Sequence, residues 1–108
     1  MGMLVYDSSA PPILVDDAAL SHLKVVMLSK LRRGESFAVS WKHPASEGGG
    51  RSTIWVNQAV PLRFVFDETD PPELDQQWLA EMAESAAGLG GIALGEAHVA
   101  GGDPRQAP

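Results

Sequence analysis

The chain has 108 residues, of which 44% are hydrophobic and 20% charged, with no cysteine and a net charge of −6. That length allows one domain and leaves little room for an enclosed active-site cavity, and the composition is globular rather than disordered. The missing thiols exclude disulfides, iron–sulfur clusters and thiolate zinc sites.

No apolar run approaches the roughly 20 residues that cross a bilayer. The first seven residues show no basic segment followed by an apolar one, and position 6 is Tyr6 where a myristoylation signal needs Ser or Thr. The expected location is cytoplasmic. The charge is unevenly spread. Residues 1–66 carry seven basic and five acidic side chains, a balance of +2, while residues 67–108 carry nine acidic ones and only Arg105, a balance of −8. Such a split hints at an anionic partner or at self-association, and it also fits two ordinary solvated faces.

In chain order, residues 3–7 alternate loosely and predict a strand. The prolines at 11 and 12 mark a turn, and residues 13–15 predict a hairpin partner for the first strand. A helix follows. Asp16 or Asp17 suits its N-cap, and with Asp16 as cap Val15 and Leu20 sit at the hydrophobic-staple positions. Leu20, Leu23, Met27 and Leu31 form a stripe at helical spacing. Lys30, Arg32 and Arg33 complement the dipole in the last turn, and Gly34 is the stop signal.

Three alternating segments come next. Residues 36–41 place Phe37, Val39 and Trp41 on one face. Residues 53–57 place Ile54 and Val56 on one face and Trp55 on the other. Residues 62–67 place Leu62, Phe64 and Phe66 on one face and Arg63 on the other. The period of two predicts strands with one buried and one wetter face, and a meander is the simplest connection. The loop between the first two contains Gly48-Gly49-Gly50. Residues 67–75 form an acidic, proline-containing link. The second helix starts near Pro71 or Asp75, carries Trp78, Leu79, Met82, Ala83 and Ala86 on its apolar side, and ends at Gly88, Gly90 and Gly91. Residues 92–94 predict a short edge strand.

The expected architecture is therefore α+β. It has an antiparallel sheet of five to six strands in the order β-β-α-β-β-β-α-β, with two helices on one face. Residues 1–95 form the domain and 96–108 a flexible tail.

The chemistry-bearing side chains are sparse. His22, His43 and His98 are not paired at helical spacing, and the acidic link lacks the ordered spacing and central glycine of a calcium loop, so no metal or cofactor is expected. No Gly-x-Ser-x-Gly elbow exists, and the glycine run is followed by a strand rather than by the helix a phosphate loop requires. No catalytic residue is assigned, and the chain is not expected to be an enzyme. The remaining candidate is a basic and aromatic surface of Lys30, Arg32, Arg33, Lys42, Arg51, Trp55 and Arg63, with Trp55 and Arg63 on the non-core face of adjacent strands. A tryptophan beside arginines suits base stacking, and it equally suits a protein or dimer interface. A third arrangement has the second helix covering that face, which makes Trp55 core.

Several segments together resemble a known family. They are Asp16-Asp17, Leu20-x-His22-Leu23, Lys30-Leu31-Arg32-Arg33-x-Glu35-Ser36-Phe37, Ser40-Trp41-Lys42, Gly50-Arg51-Ser52-x-Ile54-Trp55, Leu62-x-Phe64, Pro71-Pro72-Glu73-Leu74 and Trp78. Across about residues 1–95 they are similar to a small actinobacterial family commonly labelled ATP-dependent DNA ligase. The resemblance implies a link to DNA metabolism and carries no site residues with it. Ligase chemistry uses a Lys-x-Asp-Gly nucleophile, and here Lys24, Lys30 and Lys42 are followed by Val25-Val26, Leu31-Arg32 and His43-Pro44. Two functions are expected from these residues. The first is a protein-interaction or self-associating module, a homodimer being one form of it. The alternative is a nucleic-acid-binding accessory protein. Neither involves a membrane.

Overall fold

A computed structural model describes residues 1–8, 11–95 and 99, and of Glu47 only the backbone. The elements are β1 (Gly2–Tyr6), β2 (Ile13–Val15), α1 (Asp17–Arg32), β3 (Phe37–Lys42), a single 3-10 turn (Ala45–Glu47), β4 (Arg51–Val56), β5 (Leu62–Val65), α2 (Gln76–Ala87) and β6 (Ile92–Leu94). The α+β class and the order of elements agree with the sequence pattern.

The single antiparallel sheet does not form. The six strands make two three-stranded sheets, sheet A in the order β2-β1-β5 and sheet B in the order β4-β3-β6. The predicted β1–β2 and β3–β4 pairings are present and antiparallel. The meander fails at its last step, because β5 pairs with β1 rather than with β4. The turn between β4 and β5 sends the chain from one sheet to the other. The Asn57 side chain accepts the Ala59 N–H at 2.8 Å, and Pro61 O receives the Asp7 N–H at 3.0 Å, starting the β1–β5 ladder. β6 runs parallel to β3 because α2 supplies the long crossover that parallel strands require. Alternation reports which side chains share a face. It does not report which strand lies alongside.

Both helices are capped as local chemistry requires. Asp16 caps α1 by accepting the Ala19 N–H at 2.7 Å, and Asp75 caps α2 by accepting the N–H groups of Gln77 and Trp78. Of the two predicted starts for α2, Asp75 is the observed one. Gly34 follows α1 at φ 72°, in the left-handed region.

One core joins the layers. Leu4 and Val15 of sheet A, Leu20, Leu23 and Met27 of α1, Phe37, Val39 and Trp41 of β3, Val56 of β4, Met82 and Ala86 of α2, and Ile92 and Leu94 of β6 are all buried in it. Leu31, the last residue of the predicted stripe, packs at its margin. α1 packs on β1, α2 packs on β3 and β6, and the helices pack on each other. Gly2 marks a close approach, since a Cβ there would lie 2.6 Å from Val65 O and 2.8 Å from Leu20 Cδ2. The predicted tail lies outside the described residues except for Val99, which is buried and bridges antiparallel to Val15.

Candidate interaction surface

With Phe37, Val39 and Trp41 turned into the core, the two-residue period of β3 turns Ala38, Ser40 and Lys42 outward. Their partners on β4 are Trp55, Thr53 and Arg51, and Ser40 also lies beside Ala93 of β6. These seven side chains form the outer face of sheet B. No strand of this sheet contains an acidic residue.

The ladder geometry brings the outward pairs close. The His43 N–H bonds Gly50 O at 2.9 Å, just beyond the strand ends. Hydrogen-bonded and non-hydrogen-bonded pairs alternate in an antiparallel ladder. The pairs Ala38–Trp55, Ser40–Thr53 and Lys42–Arg51 are thus the non-hydrogen-bonded ones, in which side chains approach most closely. The Ser40 and Thr53 hydroxyls accordingly bond each other at 2.8 Å. The same alternation points the Arg51, Thr53 and Trp55 backbone groups off the free edge of β4. The Tyr6 hydroxyl donates to Trp55 O there at 2.5 Å.

Trp55 lies opposite the small Ala38 and is 57% exposed. This overturns the arrangement in which α2 covers it, because α2 packs on the other face of sheet B. Lys42 and Arg51 stand side by side, and neither makes an ion pair among the described residues. Like charges placed directly opposite each other weaken a sheet. Both cations border a cavity of about 350 Å³ that is also lined by Ser40, Trp41, Ala93, Leu94 and Gly95. The face therefore offers an exposed aromatic ring, two cations that make no ion pair among the described residues, and a neighbouring cavity.

The other predicted surface residues are elsewhere. Arg63 is exposed on β5, opposite Val5 in sheet A, so it does not neighbour Trp55 on an adjacent strand. Lys30 is not a surface group. Only 8% of it is exposed, and its ammonium lies 3.4 Å from Glu35. It follows Leu23 and Met27 on the buried side of α1, so its stem packs while its head reaches a carboxylate. Arg33 bonds the same Glu35 at 2.7 Å. The hydrogen bond from Arg33 and the Lys30 ammonium hold the Glu35 carboxyl below its ordinary value. Arg32 is exposed at the C-terminal end of α1. The seven predicted residues thus divide among three places, and only Lys42, Arg51 and Trp55 share a face.

The histidines have local duties. His43 Nε2 lies 2.7 Å from Ser52 Oγ beside the glycine loop. His22 is 2% exposed, stacks on Trp78 at 4.2 Å between ring centroids, and has Nε2 as acceptor for the Asp75 N–H at 2.9 Å. Its Nδ1 therefore carries the proton and donates to Ala18 O at 2.6 Å. His98 lies outside the described residues. Among the described residues no group of three or more His, Asp or Glu side chains is placed to hold a metal ion. No described helix is long and apolar enough to cross a membrane.

The acidic link has an organisation the sequence does not reveal. Asp17 accepts the N–H groups of Asp67 and Glu68 at 3.1 and 2.9 Å, and His22 accepts that of Asp75. Both anchors are on α1, some 50 residues away in the chain, and no local signal points to them. The Asp67 carboxylate meets the Met1 ammonium and Asp75 caps α2. Glu68, Asp70 and Glu73 are exposed and carry no ion pair or side-chain hydrogen bond among the described residues.

No curated protein and no solved structure matches this chain. Over residues 1–97 it matches the family described as a domain of unknown function, DUF7882, and the chain belongs to that family.

Proposed function

We propose that the domain is a non-catalytic protein-interaction module that docks an acidic partner surface on the outer face of sheet B. The observation that carries this reading is Trp55, 57% exposed on an open sheet face that holds Arg51 and Lys42 and no carboxylate. Tryptophan and arginine are the residue types on which binding energy concentrates at protein interfaces. A partner that brings carboxylates to Lys42 and Arg51 removes the like-charge repulsion that the free domain carries. Nucleic-acid binding draws less support. Its affinity grows with the number of phosphates neutralised, and only two cations share this face. The ligase label carried by the family it resembles finds no support in the lysine motifs. A cytoplasmic setting suits a domain without cysteine.

The test immobilises the wild-type chain and the Trp55→Ala, Arg51→Glu and Arg63→Glu variants and compares the proteins each retains. Retention lost in the first two variants and kept in Arg63→Glu is expected. Equal retention by all four chains overturns the reading. Labelled oligonucleotides at low salt provide the second arm, where binding steeply weakened by salt favours nucleic acid instead.

A further inference from the structure

We propose that the acidic link at residues 67–75 of one copy docks on the outer face of sheet B of a second copy. The proposal rests on the interaction-module reading and names its partner.

Three observations carry it. First, both surfaces carry charged side chains outside any close ion pair. Lys42 and Arg51 make no ion pair among the described residues, and neither do Glu68, Asp70 and Glu73. Second, the link is tethered at both ends. Asp17 grips its first two backbone N–H groups and His22 its last, so residues 69–74 form an arch between two fixed points on α1. A segment tethered at both ends loses less entropy on docking than a free one. The same anchors keep the arch on the α1 side of the molecule, so only another copy can bring it to the outer face of sheet B. Third, the arch matches the face in kind as well as in charge. Pro71 and Leu74 are exposed beside Asp70 and Glu73, and proline-containing segments dock on exposed aromatic rings. Trp55 provides that ring, and Arg51 and Lys42 lie along the same face for the carboxylates.

The experiment is sedimentation velocity on the full chain over a range of protein and salt concentrations. The wild-type chain is expected to associate reversibly, and less so as salt rises. The double variants Lys42→Glu/Arg51→Glu and Asp70→Lys/Glu73→Lys should each weaken association by about ten-fold or more. Combining all four substitutions in one chain restores opposite charges across the contact and should recover much of the loss. Arg63→Glu should leave association unchanged. A wild-type chain that stays monomeric at every concentration overturns the proposal, as does association that neither charge reversal weakens or that the combined variant fails to recover. If the wild-type chain is monomeric and yet retains other proteins through Trp55, self-docking fails while the interaction-module reading stands. If retention is also indifferent to Trp55, both fail.

Discussion

His22 Nε2 accepts the Asp75 backbone N–H at 2.9 Å, and this bond ties the middle of α1 to the N-cap of α2. The imidazole also stacks on Trp78 in the first turn of α2. One buried side chain thus fixes where α2 begins, how it leans on α1, and where the acidic link ends. His22→Phe keeps an aromatic ring against Trp78 and leaves the Asp75 N–H without an acceptor, at a cost of about 1–3 kcal/mol. His22→Ala also loses the stack and opens a cavity, at a cost of about 3–5 kcal/mol. Urea unfolding of the two variants measures both numbers. A His22→Phe variant as stable as wild type would show that the hydrogen bond contributes nothing.

Gly91 and Gly34 have almost the same backbone, with φ of 67° and 72°. Their surroundings differ. A Cβ on Gly91 would strike the Ala38 carbonyl, with Ala38 C and Cβ both at 2.9 Å, where β6 enters beside β3. A Cβ on Gly34 would meet only Gln58 Nε2, at 3.8 Å. Gly34→Ala should therefore cost about 1–2 kcal/mol, from backbone strain alone. Gly91→Ala adds the clash and should cost about 3 kcal/mol or more. Denaturant midpoints of the pair separate strain from crowding, and equal costs would contradict the close approach at Ala38.

The ends of both helices were legible because their signals are local. Asp16 and Asp75 cap within three residues of themselves, and Gly34 stops α1 through its own φ. The faces of β3 and β4 were legible from alternation for the same reason. Partner choice was not, because β1 and β5 lie more than fifty residues apart and any strand of suitable face could have filled the place. That gap misplaced Arg63 beside Trp55. Lys30 was misread for a subtler reason. Its place in the last turn suggested a dipole cation, while its helical spacing from Leu23 and Met27, equally visible in the chain, puts its stem on the buried side. The exposure of Trp55 depends on which face of sheet B α2 covers, a tertiary fact with no local signature.

Glu35 joins two cations, and its carboxyl is held below its ordinary value of 4.5 chiefly by the Arg33 hydrogen bond and then by Lys30, against a desolvation effect that acts the other way. A lowered carboxyl contributes stability that is fully present above its unfolded value and is lost as pH falls through the folded one. Glu35→Gln should therefore be less stable than wild type from neutral pH down to about pH 5, with the difference shrinking below the ordinary carboxylate value. Thermal melts of both chains across that range test it. A difference that stays constant into acid would remove Glu35 ionisation as the cause and leave the uncharged contacts of the side chain at position 35 as the contributor.

Lys42 and Arg51 occupy a non-hydrogen-bonded pair on an open face, so their repulsion is a cost the free domain bears. Arg51→Thr removes one of the two like charges and places a β-branched residue at a strand position. It should raise stability by about 0.2–1 kcal/mol, with the gain fading as salt screens the pair. Trp55→Ala on the same face should change stability by no more than about 1 kcal/mol, while Trp41→Ala on the buried face should cost about 3–5 kcal/mol. Urea unfolding at low and high salt measures all three. The contrast between the two tryptophans separates a side chain that holds the fold from one that the fold presents. An Arg51→Thr variant that gains stability while losing association would show that the charge pair is kept for binding at the expense of the sheet. A variant that loses stability instead would mean that Arg51 supports the β4 edge, and its charge would then need no partner to explain it.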